Sequence, residues 1–381
     1  MGVRQKVIFS AFLAVTLLLS IALVSAAEIK PEEWAHPECI ASVEELKSAI
    51  GNPDYIIIDA SKTKPDKTVK GAIWISFKNL RQPNGLLKGI KCYPAKEGEF
   101  DSSELEKIFR QLGVSEGKTV IFVSSGDVTD AIVAWFALYF LGFDKAKVFP
   151  VKCTVLGDEY LAPVEKEWSS DWPETGTFKV DPTKIRWDMY ATPDEVRAAM
   201  DDPSTAIVDV RPESYYKGEV SKTIRGGHLK TAINYVFSNF WEDGTKETSL
   251  KSKTALEAEV SKILPKDKIK KVITTCNTGH KAMSGFFFWQ LGYKWEIDDA
   301  SWNLHAFNGA MPAEDVKVQI SYADYKSLKD KVESLKSELE SLKSEVSKLK
   351  EKAAVKGAPG FTILSAIGAV ALLLVLRRIV K

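Results

Sequence analysis

Cys276 is the side chain in this sequence best placed to act as a nucleophile. It follows the β-branched run 272–275 and precedes the polar stretch "NTGHK". A cysteine is nucleophilic as its thiolate, which polar and positively charged surroundings favour over the thiol. A core cysteine would have apolar neighbours instead. The pattern therefore favours a nucleophile, with a buried structural thiol as the alternative.

Two predicted elements position this cysteine. The run 272–275 predicts a buried strand, because β-branched residues pack well on a pleated sheet. The stretch "MSGFFFWQLGY" carries a broad apolar face and predicts a buried helix that ends at Gly292. A loop between a strand and a helix directs backbone N–H groups and the positive end of the helix at the sulfur. This arrangement, with Lys281 in the loop, predicts a stabilised thiolate.

The chain contains an internal repeat. "YIIIDAS" corresponds to "TAIVDVR", and each run ends a predicted strand with an aspartate, Asp59 or Asp209. "VKGAIWISF" then corresponds to "HLKTAINYVF", and "KTVIFVSSGDVTDAIVAWFALYFLGF" to "KKVITTCNTGHKAMSGFFFWQLGY". The shared order of elements predicts two duplicated α/β domains, over residues 28–165 and 186–318. The segment 166–185, rich in Pro, Ser and charge, is the predicted linker.

Four motifs carry a resemblance to the rhodanese family. "CNTGHKA" resembles the family's active-site loop, and "DASWNLHAFNGAMPAE" resembles its closing Gly-Ser-Trp segment. "IVDVRPESYYKGEV" and "RGGHLKTAIN" resemble its strand-Asp-x-Arg and Gly-His-x-x-x-Ala-x-Asn signatures. Because the repeat covers most of residues 30–318, the chain is similar to tandem thiosulfate and mercaptopyruvate sulfurtransferases. The resemblance implies two rhodanese-like domains, each a parallel sheet flanked by helices.

The family's mechanism gives residues of this sequence expected roles. Cys276 would attack the outer sulfur of a donor such as thiosulfate, hold it as a persulfide and pass it to a thiol or cyanide, without a cofactor or metal. Loop amides and a cation would bind the anionic donor and the persulfide. The implied substrate-binding residues are Asn277, Thr278, Gly279, His280, Lys281 and Arg225. The residues implied to brace the loop are Asp209, Arg211 and His228.

The sequence departs from the family's patterns in the donor site. Tandem enzymes that use thiosulfate usually have an arginine six residues after the strand aspartate, where this chain has Tyr215. Arg225 is the candidate for the missing charge. The loop matches neither of the family's two well-known substrate classes. It is also one residue shorter than the loop of related phosphatases and arsenate reductases, which surrounds a tetrahedral oxyanion, so a phosphatase is disfavoured.

The first half lacks the cysteine. "SSGD" stands in the corresponding loop, and Asp127 and Asp130 replace its basic residues. Ser124 and Ser125 have no nearby histidine to activate them. Acidic residues would also repel an anionic donor. We therefore expect the first half to be non-catalytic and to form one wall of the cleft.

The two ends of the chain predict export and anchoring. Residues 1–27 have a basic start, an apolar run and small residues, which predicts a cleaved signal peptide, with an uncleaved anchor as the alternative. The apolar segment 358–376, followed by the basic tail 377–381, predicts a transmembrane helix. "APGF" resembles the sorting signals of archaeal surface proteins, in which a lipid replaces the tail. Together they predict an extracytoplasmic protein anchored to the membrane or cell surface.

Residues 321–352 predict a coiled-coil stalk. Their apolar residues alternate three and four positions apart, and Lys, Glu and Ser fill the other places. A single amphipathic helix packed on the globular part is the alternative. A stalk of this kind would make the protein a homo-oligomer. The seam consists of Tyr325, Leu328, Val332, Leu335, Leu339, Leu342, Val346 and Leu349.

Composition excludes several other functions. Lys and Arg number 52 and Asp and Glu 51, so no basic surplus indicates nucleic-acid binding. The four cysteines form no CxxC pair that would indicate zinc or a redox motif. An exported sulfurtransferase, with a small anionic donor and a thiol or cyanide acceptor, is the leading hypothesis. A non-catalytic cell-surface structural or sulfur-binding protein is the alternative.

Overall fold

The computed structural model describes residues 29–82, 87–90, 100–307, 311–317 and 322–355. Described residues up to Lys317 belong to one unit, and the long helix that follows belongs to a second unit. The predicted signal peptide, the predicted membrane segment 358–376 and the tail 377–381 lie outside the described residues, as does Cys92.

The first half builds one parallel sheet. Its strands are β1 (Tyr55–Asp59), β2 (Lys67–Val69), β3 (Ile73–Trp74), β4 (Thr119–Val123), β5 (Ala146–Val148), β6 (Leu161–Pro163) and β7 (Lys166–Glu167). The parallel sheet has the order β5-β4-β1-β3-β7, and β2 pairs with β6 in antiparallel fashion. The central strands read "YIIID" and "TVIFV", the continuous apolar runs that strands covered on both faces require.

The second half builds a sheet with a matching strand order. Its strands are β8 (Thr205–Asp209), β9 (His228–Leu229), β10 (Ile233–Asn234), β11 (Lys271–Thr275), β12 (Lys294–Ile297) and β13 (Ala313–Glu314). The parallel sheet has the order β10-β8-β11-β12, and β13 pairs antiparallel with β9. The order β10-β8-β11-β12 thus corresponds to the order β3-β1-β4-β5 in the first sheet. This order agrees with the predicted duplication, which stays a prediction.

Helices pack on both sheets. In chain order they are α1 (Val43–Ala49), α2 (Ser103–Gln111), α3 (Val128–Phe140), α4 (Pro193–Ala199), α5 (Glu213–Tyr216), α6 (Lys253–Val260), α7 (Phe286–Gln290) and α8 (Ser301–His305). Short 3₁₀ turns also occur, including one over Lys281–Gly285 that leads into α7. Helix α3 is apolar on all sides and is buried along its length except at Tyr139.

The two halves share one hydrophobic core. The ring centroid of Trp135 on α3 lies 4.9 Å from that of Phe286 on α7. The centroid of Phe136 lies 5.9 Å from that of Trp295 on β12. Aromatic side chains of this size each bury roughly 150–250 Å², so they dominate the energy of such a contact. The contact also brings the loops that precede α3 and α7 together.

The structure confirms the local elements predicted around Cys276. The strand over 272–275 is β11, and the buried helix is the 3₁₀ turn followed by α7. The chain turns after α7 at Gly292, which has a φ of +91°. The predicted linker 166–185 is packed along the first half, because β7 joins its sheet and Phe178 is buried. The predicted domain boundaries stay a prediction.

The second unit contains helix α9 (Tyr322–Val355), which confirms that the predicted stalk is helical. Val332, Leu335 and Leu339 of the predicted seam are 48%, 56% and 52% exposed. The coiled coil and the oligomer stay predictions. Over the described stretches of the chain, no helix combines the length and the apolar character needed to cross a membrane.

Candidate active site

Cys276 lies where the central strands of the second sheet end. Thr275, the last residue of β11, is in register with Asp209, the last residue of β8. The thiol is free and the residue is only 3% exposed. Ligands of open α/β sheets bind at the carboxyl ends of the strands. The cysteine is thus buried like a core residue but placed like a catalytic one.

Ser301 holds the cysteine loop in place. Its Oγ accepts the backbone N–H groups of Cys276, at 3.1 Å, and of Gly279, at 2.9 Å. The same oxygen lies 3.9 Å from the Cys276 sulfur and donates to the Asp298 carbonyl at 2.7 Å. Ser301 has a φ of +53°, a strained conformation for a serine. Sequence reasoning missed Ser301, although the quoted "DASW" motif contains it.

The remaining backbone donors of the loop are open. Within the described parts of the chain, no acceptor bonds the backbone N–H groups of Asn277, Thr278, His280 or Lys281. Gly279 makes the turn with a φ of +76°, and a Cβ there would lie 2.3 Å from an oxygen of Asp299. Only glycine fits that position. Successive free N–H groups in such a loop form a site for a small anion.

Asp209 and Arg211 connect the strand end to the loop. The Arg211 guanidinium donates to both carboxylate oxygens of Asp209, with the shortest distance 2.6 Å. It also donates to the Gly227 carbonyl at 2.7 Å and to Asn277 Oδ1 at 3.4 Å. Both side chains are buried, so the pair is a rigid support rather than a solvent-exposed charge.

His228 is placed away from the loop. Its ring stacks on Tyr216 at 3.6 Å, and its Nδ1 lies 2.8 Å from the Tyr216 carbonyl oxygen. Its Nε2 lies 3.6 Å from a Glu314 oxygen on β13. These contacts hold α5 and β13 against β9, so any support that His228 gives to the cysteine loop is indirect.

Arg225 reaches the loop through Trp302. The Trp302 backbone N–H donates to the Cys276 carbonyl at 2.9 Å, and its indole N–H donates to the Arg225 carbonyl at 2.9 Å. The Arg225 guanidinium lies 5.3 Å from the Trp302 ring and donates to the His305 carbonyl at 3.0 Å. Tyr215, at the position of the family's arginine, is partly buried under Lys222 at 5.9 Å.

Lys281 is ion-paired with the first half. Its Nζ bonds the carboxylate of Asp127 and lies 3.8 Å from Glu247 Oε1. The Phe237 ring centroid is 3.9 Å away. Asp127 is also the N-cap of α3 and accepts the Thr129 N–H at 2.9 Å. Burial opposes ionisation of Asp127, but the Lys281 charge outweighs it, so the pKa of Asp127 is lowered.

Glu247, a residue of the second half, places a second carboxylate beside Lys281. Its Oε2 accepts the Val128 N–H, at the start of α3, at 2.7 Å. Burial and then the neighbouring Asp127 charge raise the pKa of Glu247 to about 7. Asp127, Asp130 and Glu247 all lie at the first turn of α3, where the helix dipole favours negative charge.

His280 is also engaged with the first half. Its Nε2 lies 2.7 Å from Asp130 Oδ1, and its ring stacks on Phe77 at 4.6 Å. Ligand-type atoms of Asp127, Asp130 and His280 lie within 4.8 Å of one another, which is close enough to hold a metal ion. Asp130 also accepts the Lys62 N–H at 2.7 Å. Because ion pairs and hydrogen bonds already engage these atoms, we assign no metal to the cluster.

In the corresponding loop of the first half, hydroxyl groups of that half accept the backbone N–H groups. Ser124 follows β4 as Cys276 follows β11. Ser61 Oγ accepts the N–H groups of Ser125, at 2.9 Å, and Gly126, at 3.1 Å. Ser124 Oγ accepts the Asp127 N–H at 3.0 Å. Every backbone donor of this loop from 125 to 127 therefore has an acceptor within the first half.

Comparison with known proteins finds similarity in the second half. Residues 192–303 match the family model described as "Rhodanese-like domain". A protein from Mycobacterium leprae (strain TN) named "Putative thiosulfate sulfurtransferase" is 24% identical over 239 residues, which cover 58% of this chain and 80% of that protein.

Solved structures show the same fold over a larger part of the chain. SseA from Escherichia coli, described as a 3-mercaptopyruvate sulfotransferase with the rhodanese fold, superposes with a TM-score of 0.54 at 20% identity. The superposition covers 69% of this chain and 98% of SseA. The anaerobic ergothioneine biosynthesis enzyme from Chlorobium limicola, solved with trimethyl histidine, gives a TM-score of 0.57 at 16% identity and covers 74% and 71%. At these identities the likeness concerns the fold.

Proposed function

We propose that this protein is a sulfurtransferase that carries sulfane sulfur as a persulfide on Cys276. The observation that carries the proposal is the loop itself. A cysteine follows a central parallel strand, Ser301 accepts two loop amides, and no described residue accepts the N–H groups of four others. The rhodanese-like match over 192–303 and the sulfurtransferase names of two similar proteins support it.

In the proposed reaction, the Cys276 thiolate attacks the outer sulfur of a donor such as thiosulfate. The sulfur–sulfur bond of the donor breaks, and the leaving group departs with the electron pair. The open loop amides stabilise the negative charge of the persulfide, as backbone N–H groups do in an oxyanion hole. A thiol or cyanide acceptor then removes the outer sulfur and regenerates the thiolate, so one difficult transfer is divided into two steps.

The first half serves as a non-catalytic partner in this proposal, within a tandem rhodanese-like arrangement. Its loop has a serine in place of the cysteine, and its backbone donors are already bonded to Ser61 and Ser124. The matching strand orders of the two sheets support a duplication. Helix α3 of this half supplies the carboxylates that contact Lys281 and His280.

We also propose that the protein is exported and tethered. The support is the sequence pattern of residues 1–27 and 358–376, whether the C-terminal segment is kept or replaced by a lipid. The exposure of Val332, Leu335 and Leu339 on α9 supports association of copies through this helix. In this proposal the sulfur site acts outside the cytoplasm.

The test is sulfur loading of the full-length chain. Treatment with thiosulfate or polysulfide, followed by peptide mass spectrometry, should add one sulfur atom to Cys276 and none to Cys39, Cys92 or Cys153. Subsequent cyanide should release thiocyanate. The Cys276→Ser variant serves as the control and should do neither. Loading of another cysteine, or thiocyanate production by the variant, would refute the assignment.

A further inference from the structure

The basic side chains of the cysteine loop are neutralised by the protein itself. Lys281 bonds Asp127 and lies 3.8 Å from Glu247. The His280 ring is 2.7 Å from Asp130. Lys281 is only partly exposed, with 22% of its side chain accessible, and Glu247 is almost fully buried at 3%. An anion that approached Lys281 would therefore also approach two carboxylates, which largely cancel its attraction.

The arginines around the loop are mostly neutralised as well. Arg211 is bound by Asp209, and Arg81 of the first half is bound by Asp299 beside Gly279. Arg225 differs, because no carboxylate of the described residues forms an ion pair with it; its guanidinium donates to a backbone carbonyl. Arg225 and the loop amides that have no acceptor among the described residues are thus the groups near Cys276 that could attract an anion.

We infer that this site selects sulfur donors that carry one negative charge over the dianion thiosulfate. The inference rests on the proposed sulfurtransferase function and narrows its substrate class. A donor with two charges meets twice the repulsion from the Asp127 carboxylate, and from Glu247 where it is ionised, that a donor with one charge meets, because Coulomb energy is proportional to the product of the charges. Only the amides without an acceptor among the described residues, and the Arg225 guanidinium beside Trp302, are then left to offset that repulsion. Thiosulfonates and organic persulfides belong to this class.

The transfer balances for a thiosulfonate. The Cys276 thiolate attacks the outer sulfur of R–SO₂–S⁻, and a new sulfur–sulfur bond forms. The bond between that sulfur and the sulfonyl sulfur breaks, and the sulfinate R–SO₂⁻ leaves with the electron pair. The product is the Cys276 persulfide anion. Total charge is conserved, and neither an external oxidant nor a proton is required.

The experiment compares two donors that differ in one charged atom. Methanethiosulfonate has a methyl group where thiosulfate has an anionic oxygen. We would measure kcat/KM for both donors, with cyanide as acceptor, in the full-length wild type and in Asp127→Asn. The variant leaves Lys281 without its closest counter-charge. We expect kcat/KM for thiosulfate to rise about tenfold, and that for methanethiosulfonate by about threefold or less.

Two further variants complete the design. Asp158→Asn removes an exposed carboxylate of the first half that pairs with Lys67 at 2.9 Å, so it is a matched control and should change neither value. Glu247→Gln should also raise kcat/KM for thiosulfate relative to that for methanethiosulfonate. It replaces Asp127→Asn in the comparison if that variant does not fold. If the ratio of kcat/KM for thiosulfate to kcat/KM for methanethiosulfonate is unchanged or lower in both variants, the inference is wrong and the proposed function is unaffected. A wild type that accepts sulfur from neither donor would overturn both the inference and the proposed function.

Discussion

The loops 124–127 and 276–281 occupy the same place in two similar sheets, but their backbone donors bind different partners. In the first loop the amides donate to hydroxyl groups of Ser61 and of the loop itself. In the second loop Ser301 accepts two amides and leaves four without an acceptor among the described residues. A loop in this position can therefore have no free donors for an anion, because two hydroxyl groups are enough to accept its backbone N–H groups.

The acidic residues of the first loop have contacts of their own. Asp127 and Asp130 lie at the first turn of α3, where they stabilise the helix. The same carboxylates bond Lys281 and His280 of the other loop. The first half thus holds the basic side chains of the second loop in place and offsets their positive charge. The sequence predicts only that these acidic residues repel an anionic donor; it does not predict their pairing with Lys281 and His280.

The largest effect should come from exchanging Cys276 and Ser124, the residues that follow the central strands β11 and β4. Cys276→Ser should lower sulfur transfer by about a thousandfold or more, because a serine without a base is a poor nucleophile. Ser124→Cys in the same background should not restore it, because the amides of the first loop are already bonded. Thiocyanate production measures both. Recovered activity in the double variant would show that the first loop can also support sulfur transfer, which would contradict the difference proposed between the two loops.

Removal of the hydroxyl group that supports each loop should separate stability from activity. Ser301→Ala leaves two buried N–H groups without an acceptor, so it should cost about 1–3 kcal/mol of unfolding free energy. It should also lower kcat/KM about tenfold to a hundredfold, because the loop loses its geometry. Ser61→Ala should cost similar stability and change kcat/KM less than twofold. Denaturant unfolding and steady-state kinetics test this, and equal kinetic losses would contradict it.

Glu247 should make stability depend on pH where the two loops meet. Its pKa is about 7 in the folded protein and near 4.5 when unperturbed, so the native state binds its proton more tightly. The resulting stabilisation is present below about pH 4.5 and is lost as pH rises through about 7. Asp127, Lys281 and Lys152 are the charges that face it.

The measurement is thermal or denaturant unfolding of the wild type and Glu247→Gln between pH 5 and 8. The wild type should lose about 1–3 kcal/mol more than the variant across this range. The glutamine keeps an oxygen for the Val128 N–H, so the helix start is preserved in the control. Parallel pH curves for the two proteins would mean that Glu247 is ionised throughout.

The smallest effect on either loop should come from helix α9, which belongs to the second unit. Leu335→Lys combined with Leu342→Lys should disrupt the predicted seam and release monomers. Sulfur transfer should stay within about twofold of wild type, because a surface substitution in a separate unit leaves the loops unchanged. Sedimentation and thiocyanate assays test the two parts. If the wild-type protein is already monomeric, the predicted coiled coil is wrong.

Local sequence determined much of this site. β-branched residues before Cys276, turn residues after it and an apolar run beyond them specify a strand, a loop and a buried helix, because each pattern acts over a few neighbouring residues. Gly279 also depends on local structure, because the turn after Cys276 requires a positive φ at this residue. The strand, loop and helix around Cys276 and the α/β class could therefore be predicted without any tertiary contact.

The tertiary structure decided the charge and the openness of the site. Lys281 meets Asp127 from 154 positions away in the sequence, and His280 meets Asp130 from 150 positions away. Ser301 reaches the Cys276 amide from 25 positions away. No local pattern encodes such pairings, because they depend on how α3 packs against α7. The sequence alone determined that a cysteine follows a strand, while the packing of the two halves determined which charged side chains lie beside its loop.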